Sequence, residues 1–179
     1  MQEIQVLDKQ FVRFIEVEKL QTRIEKLGEE LSETVGGRDP LFLVVLNGAA
    51  FFAVDLLKEF KGDCKISFVK YSSYQGLNSQ GTVKQLIGLN EEVKGRLVVI
   101  VEDIVETGLT VDLLSKHLLA MEAEEVLVCS LLHKPSEQKQ GEVPEFVGFS
   151  IEKDFVVGYG LDYNGYGRNS KAIYKLKEN

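Results

Sequence analysis

The sequence predicts an α/β fold, a parallel β-sheet core flanked by helices, from two kinds of pattern. Continuous apolar runs, typical of strands covered on both faces, occur three times: LFLVVL at 41–46, LVVIV at 97–101 and EVLVCSLL at 125–132. Segments with helical spacing of apolar residues follow the first two runs. Because strands and helices alternate, we expect βαβ units with right-handed crossovers.

Three helices are predicted, in chain order. The first has apolar residues at intervals of three and four and ends before Gly36-Gly37, a typical C-terminal stop. Its apolar positions are Leu20, Ile24, Leu27, Leu31 and Val35. The second is marked by Phe52, Leu56 and Phe60, and the third by Leu113, Leu114, His117, Leu118 and Met121 on one face.

The remaining segments complete one domain, residues 1–179. CKISFVKY at 64–71 alternates enough to predict a strand, and the polar SSYQGLNSQGT at 72–82 predicts a mobile loop. The tail, 141–179, is rich in aromatic residues and glycine and has no clear helical period. No repeat or linker divides the chain.

Composition and the absence of targeting signals favour a cytoplasmic globular protein and do not exclude a small anionic ligand. The chain has 179 residues, 44% of them hydrophobic, and a net charge of −7, which disfavours nucleic-acid binding. The N-terminus lacks the pattern of a signal peptide, and no apolar run approaches the roughly 18 residues of a membrane helix. Cys64 and Cys129 match no metal or disulfide spacing, so we expect free thiols in a reducing compartment.

The segment from Glu102 to Thr110 is the most informative, because it follows an apolar strand where ligands bind in parallel sheets. Its second half suits a phosphate monoester: Thr107 and Thr110 offer hydroxyls, Gly108 admits a close backbone approach, and a helix N-terminus follows. Its first half carries adjacent carboxylates, which suit a vicinal diol or Mg²⁺. Ribose 5-phosphate bearing a pyrophosphate at C1 satisfies both halves.

A strand followed by acidic residues also occurs in flavodoxin-like and response-regulator folds, where carboxylates bind metal for phosphotransfer. The longer string VEDIVETGLT, 101–110, is more specific and resembles the phosphoribosyl-diphosphate signature of type I phosphoribosyltransferases. The segments at 43–57 and 72–74 resemble that family's pyrophosphate loop and lid. SLLHKP at 130–135 and residues 147–168 resemble the purine pocket of its hypoxanthine-guanine branch.

The resemblance implies purine salvage: the 5-phosphoribosyl group passes from phosphoribosyl diphosphate to hypoxanthine or guanine, giving IMP or GMP and pyrophosphate. It also implies a small hood formed from the N- and C-terminal segments, a Mg²⁺ cofactor and a homodimer or homotetramer. An alternative is a phosphoribosyl-diphosphate-sensing regulator on the same fold with weak or no catalysis. Turnover assays distinguish the two.

The resemblance also implies roles for individual residues. Glu102 and Asp103 hold the ribose hydroxyls and Mg²⁺, and Glu106 takes the acid/base position near purine N7. Asp162 serves a second Mg²⁺ beside the purine. Ile104 is a further phosphoribosyl diphosphate contact, and Glu106 also wraps the 5′-phosphate together with Thr107, Gly108, Leu109 and Thr110. The other contacts are Leu46, Asn47, Gly48 and Arg168 at the pyrophosphate, and Ser73 and Tyr74 in the lid. The purine contacts are Lys134, Phe155 and Val156.

Simpler interpretations exist for three of these residues. Lys134 follows a strand and is equally typical of a solvated end charge, Phe155 of core packing, and Asp162 of a turn. The chain also departs from the family pattern twice: Glu106 stands where Asp is usual, and Asn47 stands where many relatives carry Lys. His133 and His117 have no neighbouring Ser or Cys that would make a catalytic triad, so they are assigned no chemistry.

Overall fold

The computed structural model of the chain describes residues 3–73, 83–141 and 143–177. Three helices are present in these ranges: α1 (Val17–Val35), α2 (Ala50–Glu59) and α3 (Leu109–Ala120). The strands are β1 (Glu3–Val6), β2 (Lys9–Ile15), β3 (Leu41–Leu46), β4 (Lys65–Ser73), β5 (Val83–Ile87), β6 (Leu97–Val105), β7 (Glu125–His133), β8 (Phe146–Ser150), β9 (Val156–Val157) and β10 (Ile173–Leu176).

Two sheets organise the chain. The larger has the order β5-β4-β3-β6-β7-β8, in which five strands, β4, β3, β6, β7 and β8, are parallel and β5 adds an antiparallel edge. The smaller, β1-β2-β10-β9, is antiparallel and combines the N-terminal hairpin with the tail. The predicted parallel core with flanking helices is confirmed, and the small sheet is the hood that the resemblance implied.

Helix α1 buries the predicted apolar positions, and all five are at most 2% exposed. They pack with α2 and with Phe42 and Val44 of β3 on one side of the large sheet. Gly36 adopts the left-handed conformation, φ 59°, and its N–H donates to Ser32 O at 3.2 Å, which ends the helix where the glycine pair predicted.

Strand β6 is longer than predicted. Its apolar run ends at Val101, but the ladder continues to Val105, so Glu102, Asp103 and Ile104 belong to a strand end and not to a loop. Glu102 pairs with Ser130 and Val105 with His133 of β7, which also extends one residue beyond its predicted end. Hydrogen bonds to a neighbouring strand therefore override the polar sequence here.

The buried face of α3 differs in part from the prediction. Leu114 and Leu118 are buried as expected, together with Val111, but Leu113, His117 and Met121 are exposed. Helix α3 therefore contacts the sheet through a narrow stripe, Val111, Leu114 and Leu118, whose spacings are three and four residues. The sequence had indicated a wider apolar face.

The remaining predictions concern the polar segment, the tail, the cysteines and the membrane. Residues 72–73 end β4, and 74–82 lie outside the described residues. The described tail contains strands and no helix, and both cysteines are free thiols, with Cys129 buried and Cys64 partly exposed. In the described ranges, no helix has both the length and the apolar character needed to cross a bilayer.

Candidate active site

The carboxyl ends of β3, β6 and β7 lie side by side in the sheet and carry most of the predicted site residues. Leu46 ends β3, Val105 ends β6 and His133 ends β7. Each end leads into one of the predicted segments: Asn47-Gly48, the loop Glu106–Gly108, and Lys134. Since adjacent parallel strands end at the same edge, the fold itself brings the three segments together.

The segment from Glu106 to Thr110 surrounds a shallow cavity of about 140 Å³ at the start of α3. Gly108 has φ 79°, a conformation that side chains rarely adopt, and a Cβ there would lie 2.0 Å from Gln140 O. The Leu109 N–H donates to the Thr107 hydroxyl at 3.4 Å. The cavity therefore lies at a helix N-terminus, where the first backbone N–H groups lack helical partners, as a phosphate-binding loop requires.

Glu102 and Asp103 form a carboxylate pair at the end of β6. Glu102 is 9% exposed, and its Oε2 has no hydrogen-bond partner among the described residues. Burial, and to a lesser extent the neighbouring Asp103 carboxylate, raises the pKa of Glu102 well above its usual range. Burial also raises the pKa of Asp103, while hydrogen bonds and the Arg168 charge oppose that effect. An unpartnered buried carboxylate oxygen favours a ligand that supplies a hydroxyl or a cation.

Within 3–73, 83–141 and 143–177, no group of three or more His, Cys, Asp or Glu residues could hold a metal ion. Mg²⁺ nevertheless binds commonly through one or two carboxylates together with substrate phosphates and water. The Glu102–Asp103 pair fits a metal of that kind, whose remaining ligands come from the substrate and from water.

The Leu46–Asn47 peptide bond is cis. Gly48 follows directly and is buried, whereas Asn47 is exposed. A Cβ at Gly48 would lie 1.6 Å from Asp103 Oδ2, so the loop contacts the carboxylate pair through a position that only glycine fits. The pyrophosphate-loop candidate and the carboxylates are therefore immediate neighbours.

A loop of the tail, residues 158–168, closes over these groups. A Cβ at Gly160, where φ is 102°, would lie 2.0 Å from Gly48 O, so the two backbones are in contact. Arg168 donates to Gly160 O at 2.6 Å and forms an ion pair with Asp162 at 2.6 Å. Asp162 Oδ2 also accepts the Gly165 N–H at 2.6 Å, so the turn interpretation of Asp162 is correct alongside any role at the site.

Two residues that anchor this loop were missed. The Tyr159 hydroxyl donates to Asp55 Oδ2 at 2.6 Å and thereby ties the tail to α2. Burial and the Asp55 carboxylate raise the pKa of the Tyr159 phenol, so it remains protonated and able to donate. The two residues are 104 positions apart, and only the unusual density of glycine around Tyr159 marked the region as special.

Glu106 and Lys134 form an ion pair through Oε1 and Nζ. Lys134 is only 6% exposed, and its backbone N–H donates to Val105 O at 2.9 Å. The solvated end charge is therefore the wrong interpretation of Lys134. The Glu106 side chain is 49% exposed. A buried ammonium and a half-exposed carboxylate thus meet beside the phosphate loop.

On the hood side, Phe155 is 44% exposed, while Val156 is buried. The Phe155 ring packs against Phe11, with centroids 6.2 Å apart, and edge-on against Tyr163 at 5.8 Å. Core packing therefore explains only part of the surroundings of the Phe155 ring, because the rest of the ring is exposed. Of the two lid residues, Ser73 ends β4 and Tyr74 lies outside the described residues.

Comparison with known proteins gives a consistent result. The family model described as the phosphoribosyl transferase domain matches residues 16–164. A hypoxanthine-guanine phosphoribosyltransferase of Aquifex aeolicus is 32% identical over 176 residues, covering 97% of this chain and 99% of the relative.

Two solved structures are also similar. A Bacillus anthracis hypoxanthine-guanine phosphoribosyltransferase, with HEPES in its active site, has a TM-score of 0.88 and 33% identity, covering 92% of this chain and 98% of the other. A Trypanosoma cruzi hypoxanthine phosphoribosyltransferase, in complex with the product IMP, has a TM-score of 0.88 and 27% identity, covering 97% of each chain.

Proposed function

The chain belongs to the phosphoribosyltransferase family, and from that membership we propose the following account of its purine salvage reaction. The enzyme transfers the 5-phosphoribosyl group of phosphoribosyl diphosphate to hypoxanthine or guanine and releases pyrophosphate. The observation that carries the proposal lies at the end of β6, where the unpartnered carboxylate oxygen of Glu102 lies six residues before the left-handed Gly108. One stretch of chain thus offers acceptors for ribose hydroxyls and donors for a phosphate.

The 5′-phosphate occupies the cavity at the start of α3. Backbone N–H groups of Thr107 to Thr110 donate to its oxygens, and the threonine hydroxyls add further donors. The 2- and 3-hydroxyls of the ribose donate to Glu102 and Asp103. These contacts fix the sugar so that C1 of the ribose faces the purine. The pyrophosphate at C1 then faces the loop at Asn47-Gly48.

The pyrophosphate lies between the Leu46–Gly48 loop and the tail loop. Arg168 reaches this region through Gly160, and Asp162 holds its guanidinium through a 2.6 Å ion pair. Because Asn47 carries no charge, backbone N–H groups and Arg168 stabilise the leaving group. Glu102 and Asp103 would hold a Mg²⁺ ion, with Asp162 as the candidate for a second, and such an ion would supply charge neutralisation for pyrophosphate.

The purine lies between Phe155 and Lys134. Phe155 stacks on the ring, Val156 offers backbone groups, and the Lys134 ammonium donates to the 6-oxo oxygen. As the bond from C1 to pyrophosphate breaks, N9 forms the new bond to C1, and Glu106 accepts the purine proton at N7. Ser73 and Tyr74 belong to the lid that excludes water from the cation-like C1.

The experiment that tests this function measures nucleoside monophosphate formation from phosphoribosyl diphosphate and each of the five common nucleobases. We expect turnover with hypoxanthine or guanine in the presence of Mg²⁺ and none with excess chelator. Adding Mg²⁺ back must restore the rate, because the carboxylate pair cannot neutralise pyrophosphate by itself.

Asp162→Asn is the matched test of the second metal position, since it keeps the size of the side chain and its oxygen for the Gly165 N–H. It is expected to raise the Mg²⁺ concentration needed for half-maximal rate and to leave the melting temperature nearly unchanged. Full activity in chelator contradicts the proposed mechanism. Tight binding of phosphoribosyl diphosphate without turnover favours the sensing regulator instead.

The active form is a homodimer or homotetramer, and one apolar surface supports this. Ile66 and Phe68 of β4 are 45% exposed each and lie opposite Phe42 and Val44 in the register, so they face the α2 side of the sheet. Phe51 and Val54 of α2 are also exposed on that side. A second copy of the chain would cover this surface. Sedimentation of Phe68→Ser and of the parent protein tests this, and the variant is expected to lose the dimer.

The proposed compartment is the cytoplasm, which the two free thiols, Cys64 and Cys129, support because reduced cysteines persist there. Fractionation of cells that express the chain checks this proposal.

A further inference from the structure

Residues 134–141, here called the strap, lead from β7 across the phosphate loop. Within the strap, the Gln138 Nε2 donates to the carbonyl oxygens of Gln140 and Gly141, at 3.2 and 3.3 Å. Because carbonyl oxygens only accept, these two bonds fix the orientation of the amide and direct Gln138 Oε1 towards His133. The distance from Oε1 to His133 Nε2 is 2.6 Å. That ring nitrogen must therefore carry the hydrogen.

His133 gives the strap a rigid base. It is 3% exposed, ends β7 and pairs with Val105 of β6 in the sheet register. Its carbonyl oxygen also accepts the Ile151 N–H at 2.9 Å. The imidazole is thus held by the sheet, whereas Gln138 is half-buried and Gln140 is exposed.

Two hydrogen bonds and two close contacts join the strap to Thr107 and Gly108 of the phosphate loop. The N–H groups of Lys139 and Gln140 both donate to Thr107 O, at 3.1 Å each. Gln140 O lies 2.0 Å from the position of a Cβ at Gly108, and Gln138 Cγ lies 3.3 Å from it. The strap therefore holds the carbonyl of Thr107 and packs directly under Gly108.

The direction of the Thr107 carbonyl determines the direction of the next amide. In a trans peptide the C=O and the following N–H point in opposite directions. With Thr107 O drawn to the strap by two donors, the Gly108 N–H points away from it. The described residues that line the phosphate cavity extend from Glu102 to Val111 and include no strap residue, so the cavity lies on the other side of the loop.

We infer that His133 and Gln138 are positioning residues for the 5′-phosphate: the imidazole orients the Gln138 amide, the amide shapes the strap, and the strap aims the Gly108 N–H into the cavity. This inference rests on the proposed function, because the phosphate is that of phosphoribosyl diphosphate. Neither side chain touches the substrate. Their effect is confined to one end of the ligand, opposite to the purine.

The test uses Gln138→Leu, which keeps a side chain of similar bulk but loses its donors and acceptor, and His133→Phe, which keeps a ring without the N–H. Each is expected to raise KM for phosphoribosyl diphosphate and Kd for ribose 5-phosphate by roughly tenfold, the scale of one lost hydrogen bond. KM for hypoxanthine and kcat should change less than threefold. Steady-state kinetics and calorimetric titration with ribose 5-phosphate supply these values.

Glu137→Gln is the matched control, because Glu137 precedes Gln138 in the strap and forms a 2.6 Å ion pair with Lys153. Glu137→Gln should leave KM for phosphoribosyl diphosphate and Kd for ribose 5-phosphate at the parent values. The double variant His133→Phe/Gln138→Leu should lose no more than Gln138→Leu alone, since His133 acts on the strap only through its hydrogen bond to Gln138. Gln138→Asn, which restores an amide on a shorter stem, should recover part of the affinity.

The outcomes separate this inference from the proposed function. If the parent neither turns over hypoxanthine nor binds ribose 5-phosphate, the proposed function fails. If the parent is active but both single variants bind ribose 5-phosphate within twofold of it, the positioning role is overturned. The positioning role is also overturned if KM for hypoxanthine rises as much as KM for phosphoribosyl diphosphate and Kd for ribose 5-phosphate. It is likewise overturned if a fall in melting temperature accounts for the lost activity.

Discussion

Hypoxanthine is expected to exceed adenine in kcat/KM by about 10⁴, the discrimination typical of a site built around a buried hydrogen bond. Lys134 is the physical reason. Its ammonium is 6% exposed and has three donors and no acceptor, so it bonds a 6-oxo oxygen but leaves the adenine amine unpaired against a cation. The measurement is the pair of steady-state constants for the two bases in the unmodified protein.

Lys134→Gln tests the cause of this preference. It should lower kcat/KM for hypoxanthine by roughly 10- to 100-fold, the cost of a lost charged hydrogen bond. It should also raise kcat/KM for adenine above its background, because Gln can turn its carbonyl towards an amine. Lys153→Gln, which removes an exposed lysine paired with Glu137, is the control and should change neither value. Equal constants for both bases in the parent would contradict the role of Lys134 and the hypoxanthine-guanine assignment.

Glu106→Gln is expected to lower kcat by roughly 10² or more, the usual scale for a general acid–base group. The amide keeps an oxygen that can accept from Lys134, so the variant removes the proton acceptor with little change in the contact beside it. Single-turnover rates should fall with kcat, because the loss is in the chemical step. Kd for phosphoribosyl diphosphate should remain near the parent value.

Two further variants define this result. Glu106→Asp restores the residue usual in the family at this position and is expected to retain activity. Glu122→Gln removes one charge from the exposed pair with Lys94 and should be silent. A near-normal rate for Glu106→Gln would mean that the position only shapes the phosphate loop.

The core of the fold could be predicted because its signals are local. The run at 41–46 coincides with β3, and the spacing from Leu20 to Val35 gave the buried face of α1. The end of β6 was missed because Glu102 and Asp103 are polar, while the pairing that keeps them in the strand comes from β7. Likewise, the narrow contact stripe of α3 is set by the sheet beneath it.

The candidate site was predictable to a different extent. The phosphate-binding character of Thr107 to Thr110 follows from residue types and spacing alone. The meeting of Glu106 with Lys134 was implied by family resemblance only, since no local pattern connects residues 28 positions apart. The Tyr159–Asp55 bond could not be predicted, because it joins residues 104 positions apart. The His133–Gln138 bond joins residues of one segment, but it depends on the irregular backbone that follows β7, which no periodic pattern predicts.

The unpartnered oxygen of Glu102 has a consequence for thermal stability. A buried acceptor without a partner costs about 1–3 kcal/mol, and a ligand that supplies a hydroxyl or a cation to Glu102 would remove that cost. A ligand that binds the folded state alone stabilises it in proportion to the logarithm of its concentration above Kd. Substrate supply in the cell would therefore set not only the rate of this enzyme but also how much of it remains folded and escapes degradation.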